Sequence, residues 1–361
     1  MTNQICKESI DTYGYAAYLR LVEQRILYDI EKVKMEKNVE ETNKKDLSLN
    51  KNLLNDIRLK FNKTDKLQEE ISGKEKWLKY WMDTNWEVIN KTPDYEKVKR
   101  LCSNELLELF EKDEDRVLKK YLIIQDAVLA PIYLDLPNFP ESRSLKERNT
   151  EAGCKLVASN FGMNPQEGVK ILKEADKFNK GLQDFWEKIA KYGTFGLLCT
   201  GALAAFFAAP IAVFIGGLLG YSGAAAFTAG LAFLGGGSIA TGGLGMAGGL
   251  AVLVSSGAAL GGTSGALIAK KIADIPSPVL AFEMIKNVNY AEFLAQESKR
   301  SKKAKTYLDK LLIDFIQIKN SVETELLLNA NTSSQIESLI QTYKILEYTM
   351  QNLIERVIKK Q

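Results

Sequence analysis

Histidine is absent from all 361 residues of this chain. That removes the base of a Ser-His-Asp or Cys-His arrangement and the commonest ligand of a catalytic metal. The sequence also lacks GxSxG, GxxxxGK[ST] and a GxGxxG following a strand, and Gly73-Lys74 has no upstream glycine to make a phosphate loop. An enzyme is therefore not expected, and no catalytic residue, cofactor, metal or small-molecule substrate is assigned. Cysteine is scarce: Cys6, Cys102, Cys154 and Cys199 form no CxxC pair and read as free thiols. The opening MTNQICKESIDTYGYAAYLR has no apolar run behind a basic start, which excludes a secretory signal there and implies synthesis in the cytosol. Charge of one sign is not in excess either. Lys+Arg 48 against Asp+Glu 45 gives +3, too balanced for a nucleic-acid partner to be expected from bulk charge.

The most informative absence is local. From Tyr192 to Ala269, 78 residues run without an Asp, Glu, Lys, Arg, Asn, Gln or His, and 20 of the 26 glycines fall inside them. A spanning helix needs about 20 apolar residues, whereas an apolar run of about 10 to 14 suffices for a core helix. The length favours a bilayer as the destination, with a helical hairpin buried in a soluble monomer as the competing reading.

Outside that window, apolar residues recur at helical spacing. Tyr15, Leu19, Val22, Ile26, Ile30 and Val33 predict a first amphipathic helix, and the polar stretch 38–46 a connection or weak continuation. Leu49, Leu53, Leu54, Ile57 and Phe61 resume the pattern, and Trp77, Leu78, Trp81, Met82 and Val88 mark a further helix. Thr92-Pro93 suits an N-cap and first helical position, with the helix running to about Leu129. Pro131, Pro137 and Pro140 predict a crossover. Asn164-Pro165 opens another helix through Val169, Leu172, Phe178, Leu182, Phe185 and Ile189 into the window. After it, Asp274–Pro278 stops regular helix. Stripes then return at Leu308, Leu311, Phe315, Ile318 and Val322, and, from a capping box near Ser334, at Leu339, Tyr343, Leu346, Met350, Leu353 and Val357. No segment outside the window alternates with period two. The expected fold is all-α, an elongated bundle of long amphipathic helices with a central Gly/Ala-rich apolar insert. Its parts are N-terminal helices (1–130), a Pro-containing crossover (131–163), a helix leading into the insert (164–191), the insert (192–269) and C-terminal helices (270–361). Gly and Ala discriminate poorly between states, so the insert reads as a helical hairpin with a β-tongue open for part of it.

Within the insert, Phe195, Leu197, Leu198, Phe206, Phe207, Ile211, Val213, Phe214, Ile215, Val252 and Val254 are the candidate membrane-inserting residues. Gly245 and Gly249, then Gly257, Gly261 and Gly265, recur every fourth position. On a helix they form a ridge along which two backbones approach closely, a packing mode suited to lipid. Trp186, Lys191, Tyr192, Lys270 and Lys271 flank the window as candidate interfacial anchors. Lysines at both ends place those ends on one side and ask for an even number of crossings, while the glycine punctuation suggests three pieces. In KRSKKAK, Lys299, Arg300, Lys302, Lys303 and Lys305 put five positive charges in seven residues. They are a candidate contact for anionic lipid, or an ordinary solvated helix face. No aromatics are interleaved to stack bases.

The order of long amphipathic helices, central uncharged insert and further long helices resembles the α-helical pore-forming toxins of the cytolysin A and haemolysin BL type. The resemblance implies a bundle that shelters an apolar head, Tyr192 to Ala269, and inserts it on oligomerising, as a homo-oligomer or with a second protein component. The insert is longer and richer in glycine than that pattern. LGGGSIATGGLGMAGGLAVL (Leu234 to Leu253) is also similar to glycine-rich membrane segments of bacterial membrane-associated proteins, some of which carry a following α/β-hydrolase domain that has no counterpart here. The expected partner is a lipid bilayer, entered from a soluble form. The alternatives are an intracellular cell-killing effector and a non-lytic membrane-anchored scaffold whose helices recruit partners.

Overall fold

The structure is a computed structural model, and it describes residues 12–47, 54–88, 90, 94–112, 115–130, 132–133, 144–183, 277–328 and 333–360. Every regular element among them is helical, and the fold is all-α: α1 (Thr12–Leu47), α2 (Leu54–Val88), α3 (Tyr95–Arg100), α4 (Ser103–Glu111), α5 (Arg116–Leu129), α6 (Thr150–Asn160), α7 (Pro165–Gly181), α8 (Ser277–Glu297), α9 (Lys302–Leu328) and α10 (Ser333–Arg356), closed by a 3₁₀ turn at Ile358–Lys360.

The first stripe is core throughout. Tyr15, Leu19, Val22, Ile26, Ile30 and Val33 are all buried, and α1 continues through the polar stretch to Leu47. Trp77, Leu78 and Trp81 do not open a further helix but belong to the same α2 as Leu54. Gly73 lies mid-helix without breaking it; a Cβ there would stand 3.1 Å from Leu145, so the missing side chain lets residues 144–149 pack across α2. The single helix expected up to Leu129 is instead three. Leu101 and Cys102 are extended, and the Glu105 carboxylate accepts from the Cys102 amide at 2.8 Å, which starts α4 afresh. Thr92 and Pro93 lie outside the described residues.

The crossover expected over 131–163 contains a helix, α6, capped by Asn149, whose side chain accepts from the Ala152 amide. At the start of α7, Asn164 and Pro165 take the cap and first-turn positions expected of them, the Asn164 side chain accepting from Gln166 at 2.9 Å. α6 and α7 cross where a Cβ on Gly168 would lie 2.1 Å from the Cys154 carbonyl oxygen. Only glycine permits that approach.

α8 has no counterpart in the stripes. Pro278 sits in its first turn, where a missing N–H costs nothing, so Asp274–Pro278 stops one helix pattern only to begin another. Leu280, Ala281, Met284, Ile285, Val288, Ala291 and Leu294 are buried on several sides, as befits a helix that packs on α5, α7, α9 and α10 at once. Lys286 on α8, itself buried, meets Asp126 of α5 at 2.9 Å, and Tyr121 of α5 stacks on Phe293 with ring centroids 3.9 Å apart. These contacts join α1–α6 to the C-terminal helices through one continuous core.

Candidate functional site: the end of the bundle that carries the insert

The apolar window 192–269 lies between α7 and α8, and side chains of both helices contact α10. Arg356 Nη1 lies 2.7 Å from Glu174 Oε2. One helix face further along α7, the Phe178 ring meets Tyr348 edge-on at 4.9 Å. At the end of α7, a Cβ on Gly181 would fall 1.7 Å from the Tyr348 hydroxyl. α7 therefore runs antiparallel to α10, its last turn beside Tyr348. On the return, the Ser277 hydroxyl donates to Gln341 Oε1 at 2.7 Å, and Asn289 further along α8 donates to the Ile171 carbonyl of α7 at 3.3 Å. α8 thus runs parallel to α10, starting beside Gln341. Seven residues separate Tyr348 from Gln341, two turns, or about 10 Å of helix. The described residues on either side of 184–276 therefore meet α10 within about two turns of each other.

The insert candidates (Phe195, Leu197, Leu198, Phe206, Phe207, Ile211, Val213, Phe214, Ile215, Val252, Val254), the glycine ridge (Gly245, Gly249, Gly257, Gly261, Gly265) and the anchors (Trp186, Lys191, Tyr192, Lys270, Lys271) lie outside the described residues. Among the described residues no helix is long and apolar enough to cross a membrane.

The basic run is described, and it lies at the far end of α8 from the insert. Lys299 and Arg300 form the turn after α8, while Lys302, Lys303 and Lys305 stand in the first turn of α9. The 21 residues of α8 put about 30 Å between this run and Ser277. Its charges are not equivalent: Lys303 reaches the buried Asp115 at 2.6 Å, and Arg300 faces Glu297 at 3.9 Å. Glu111 and Lys120 lie on either side of the α4–α5 junction, where Asp115 and Lys120 are buried and Lys120 stands 2.5 Å from Glu111.

Sequence periodicity does not show the principal polar cluster, because its members come from several segments far apart in the chain. Arg25 forms a two-pronged pair with Glu147 (2.8 and 2.7 Å) and donates to the carbonyls of Ala127 and Val128. Burial works against the Arg25 charge, but Glu147 and Asp29 nearby hold the guanidinium protonated above its ordinary range. Lys74, fully buried, sits 2.5 Å from Asp29 and 2.9 Å from Glu70. Asp29 also accepts from the Tyr133 hydroxyl and the Arg148 amide, each at 2.8 Å, and Arg148 bonds Glu70 and Glu36. Burial and then Asp29 raise the Tyr133 hydroxyl, which stays protonated as a donor. Burial would raise the Glu70 carboxyl, yet the donors Arg148 and Lys74 outweigh it and the group is lowered. Each charge here faces an opposite charge, so the cluster is a clamp that fastens residues 144–149 to α1 and α2, and it offers no group poised for chemistry.

The fold is an all-α bundle in which the described residues on either side of 184–276 both contact α10. No family model, curated protein or solved structure matches the chain.

Proposed function

We propose that this chain is a membrane-inserting helical protein. Its bundle is elongated, it carries residues 192–269 as a glycine-rich apolar insert at one end, and it delivers that insert into a bilayer, which it permeabilises by oligomerising into pores. The observation that carries the reading is the joint one: 78 residues without a charge, flanked by helices that contact α10 within about two turns of each other. A segment that departs and returns on one side supports an even number of crossings, in keeping with the lysines at both of its ends. Insertion exchanges one apolar environment for another. Burial is worth roughly 25 cal/mol per Å² in either, so the balance is small enough for oligomerisation or a second protein component to tip it. The bilayer is the partner, and a toxin or a cell-killing effector is the biological class.

Sedimentation of detergent-free protein with and without liposomes, followed by dye release on the same sample, tests this. A soluble protein that becomes vesicle-bound and leaky is the expected result. Full-length protein that neither binds nor leaks vesicles of several compositions sinks the proposal, and a requirement for detergent from the start identifies the non-lytic anchored scaffold instead.

A further inference from the structure

The helical hairpin of α9 and α10 projects beyond the point where the insert rejoins the bundle. Ser277 opens α8 beside Gln341, but α10 begins eight residues earlier, at Ser333, so its first turns overshoot Ser277 by about 12 Å. α9 accompanies it: Lys319 Nζ stands 3.5 Å from the Tyr343 hydroxyl, and α9 runs on from there to Leu328. This overhang carries the most exposed large apolar side chains among the described residues, Leu327 and Leu328 at 76% and 74% exposed, with the less exposed Ile336 on α10. Between Glu325 and Glu337 the sequence LLLNANTSSQI holds no charge. Single exposed aliphatics are common on any surface. Here Leu327 and Leu328 stand together at the end of α9, in an uncharged run, beyond the level at which α8 begins.

We propose that the α9–α10 tip is a second membrane contact, which buries Leu327 and Leu328 in the bilayer interface beside the insert. The inference rests on the membrane-inserting reading and adds a partner surface to it. The headgroup layer of one leaflet is about 5 to 8 Å deep. A 12 Å overshoot therefore carries the tip through it to the acyl boundary while Ser277 remains at the surface, with the bundle upright. The occupant is lipid rather than a helix groove of a partner, because the patch is a protruding hairpin end and not a concavity.

The test is vesicle sedimentation of three full-length proteins: wild type, Leu327→Gln with Leu328→Gln, and Leu27→Gln with Met35→Gln, the last an exposed apolar pair on α1. These side chains lie at the surface, so each variant keeps the wild-type helical signal. The expected result is about a tenfold or larger loss of partitioning for the tip variant, with the α1 variant unchanged. Wild-type binding with an unaltered tip variant overturns this inference and leaves the membrane reading standing. No binding by any of the three overturns both. Equal losses in the two variants, or loss of self-association in place of vesicle binding, also overturn it, the latter by showing a contact between copies. Stronger binding by the tip variant overturns it by showing that the patch shelters the insert.

Discussion

Lys74 and Asp29, 45 residues apart in sequence, meet at 2.5 Å with the lysine side chain wholly out of solvent. A buried pair of this kind is costly to break from one side, because the surviving charge keeps its desolvation penalty. Lys74→Met leaves Asp29 with the Tyr133 hydroxyl and the Arg148 amide as donors but no cation at that distance. The expected loss is about 3 to 5 kcal/mol, read from urea unfolding followed by circular dichroism. Asp29→Asn in the same background should recover part of it. A loss below about 1 kcal/mol would show that the clamp is not a source of stability.

Gly168 faces the Cys154 carbonyl, and a methyl group placed 2.1 Å from a backbone oxygen forces α6 and α7 apart. Gly168→Ala is therefore expected to cost about 2 kcal/mol or more, seen as a lowered Tm. Gly181→Ala meets only the far end of Tyr348, a side chain able to shift if it gives up its edge-on contact with Phe178. Its cost should be smaller. A reversed order of the two would contradict the helix crossing described.

Burial pushes the Cys154 thiol up to about 11, against an ordinary value of 9.0, while Cys102 is exposed. At pH 8, iodoacetamide should alkylate Cys102 in the native protein and Cys154 only after unfolding, as mass mapping of the peptides would show. The same shift sets a pH dependence. Below about pH 9 both states hold the proton and the thiol contributes no slope; between about 9 and 11 only the unfolded state releases it, so stability falls as pH rises. The buried Tyr15 and Tyr121 hydroxyls, raised first by desolvation, act in the same direction above pH 10. The urea midpoint should drop from pH 7.5 to 10.5, and drop less in Cys154→Ala; equal drops would remove the thiol from the account.

On the proposed function, Gly261→Leu separates helix backbones along the ridge Gly257, Gly261 and Gly265. It should abolish oligomers and dye release without changing the unfolding midpoint of the soluble bundle. Unchanged oligomer size and leakage would show that the ridge is not the assembly interface.

The parts of the fold visible in the sequence were those where one face is buried. The stripe from Tyr15 to Val33 predicted its own core positions, and Asn164-Pro165 its own cap, because three-four spacing and cap chemistry are local. α8 escaped for a physical reason: a helix buried on several sides has no polar face to contrast with, and Pro278 at its start looks like a stop. The break between α3 and α4 is hidden in the sequence because it is set by Leu101 and Cys102, residues without turn character. The clamp at Asp29, Lys74 and Arg148 was invisible to any reading along the chain, since each charge alone looks like a solvated one. The same holds for the nearness of Ser277 to Gln341, a contact across 64 residues.

Both flanks of the insert rest on α10, and α10 is synthesised after the insert. From Ala269 to Arg356 the ribosome needs on the order of 5 to 20 s. During that time the uncharged segment is complete while the helix that receives its flanks does not yet exist. A chain cut short before residue 333 would still pack α7 on α5 and α6, and α8 on α5, α7 and α9, but both flanks would lack their contacts with Tyr348 and Gln341.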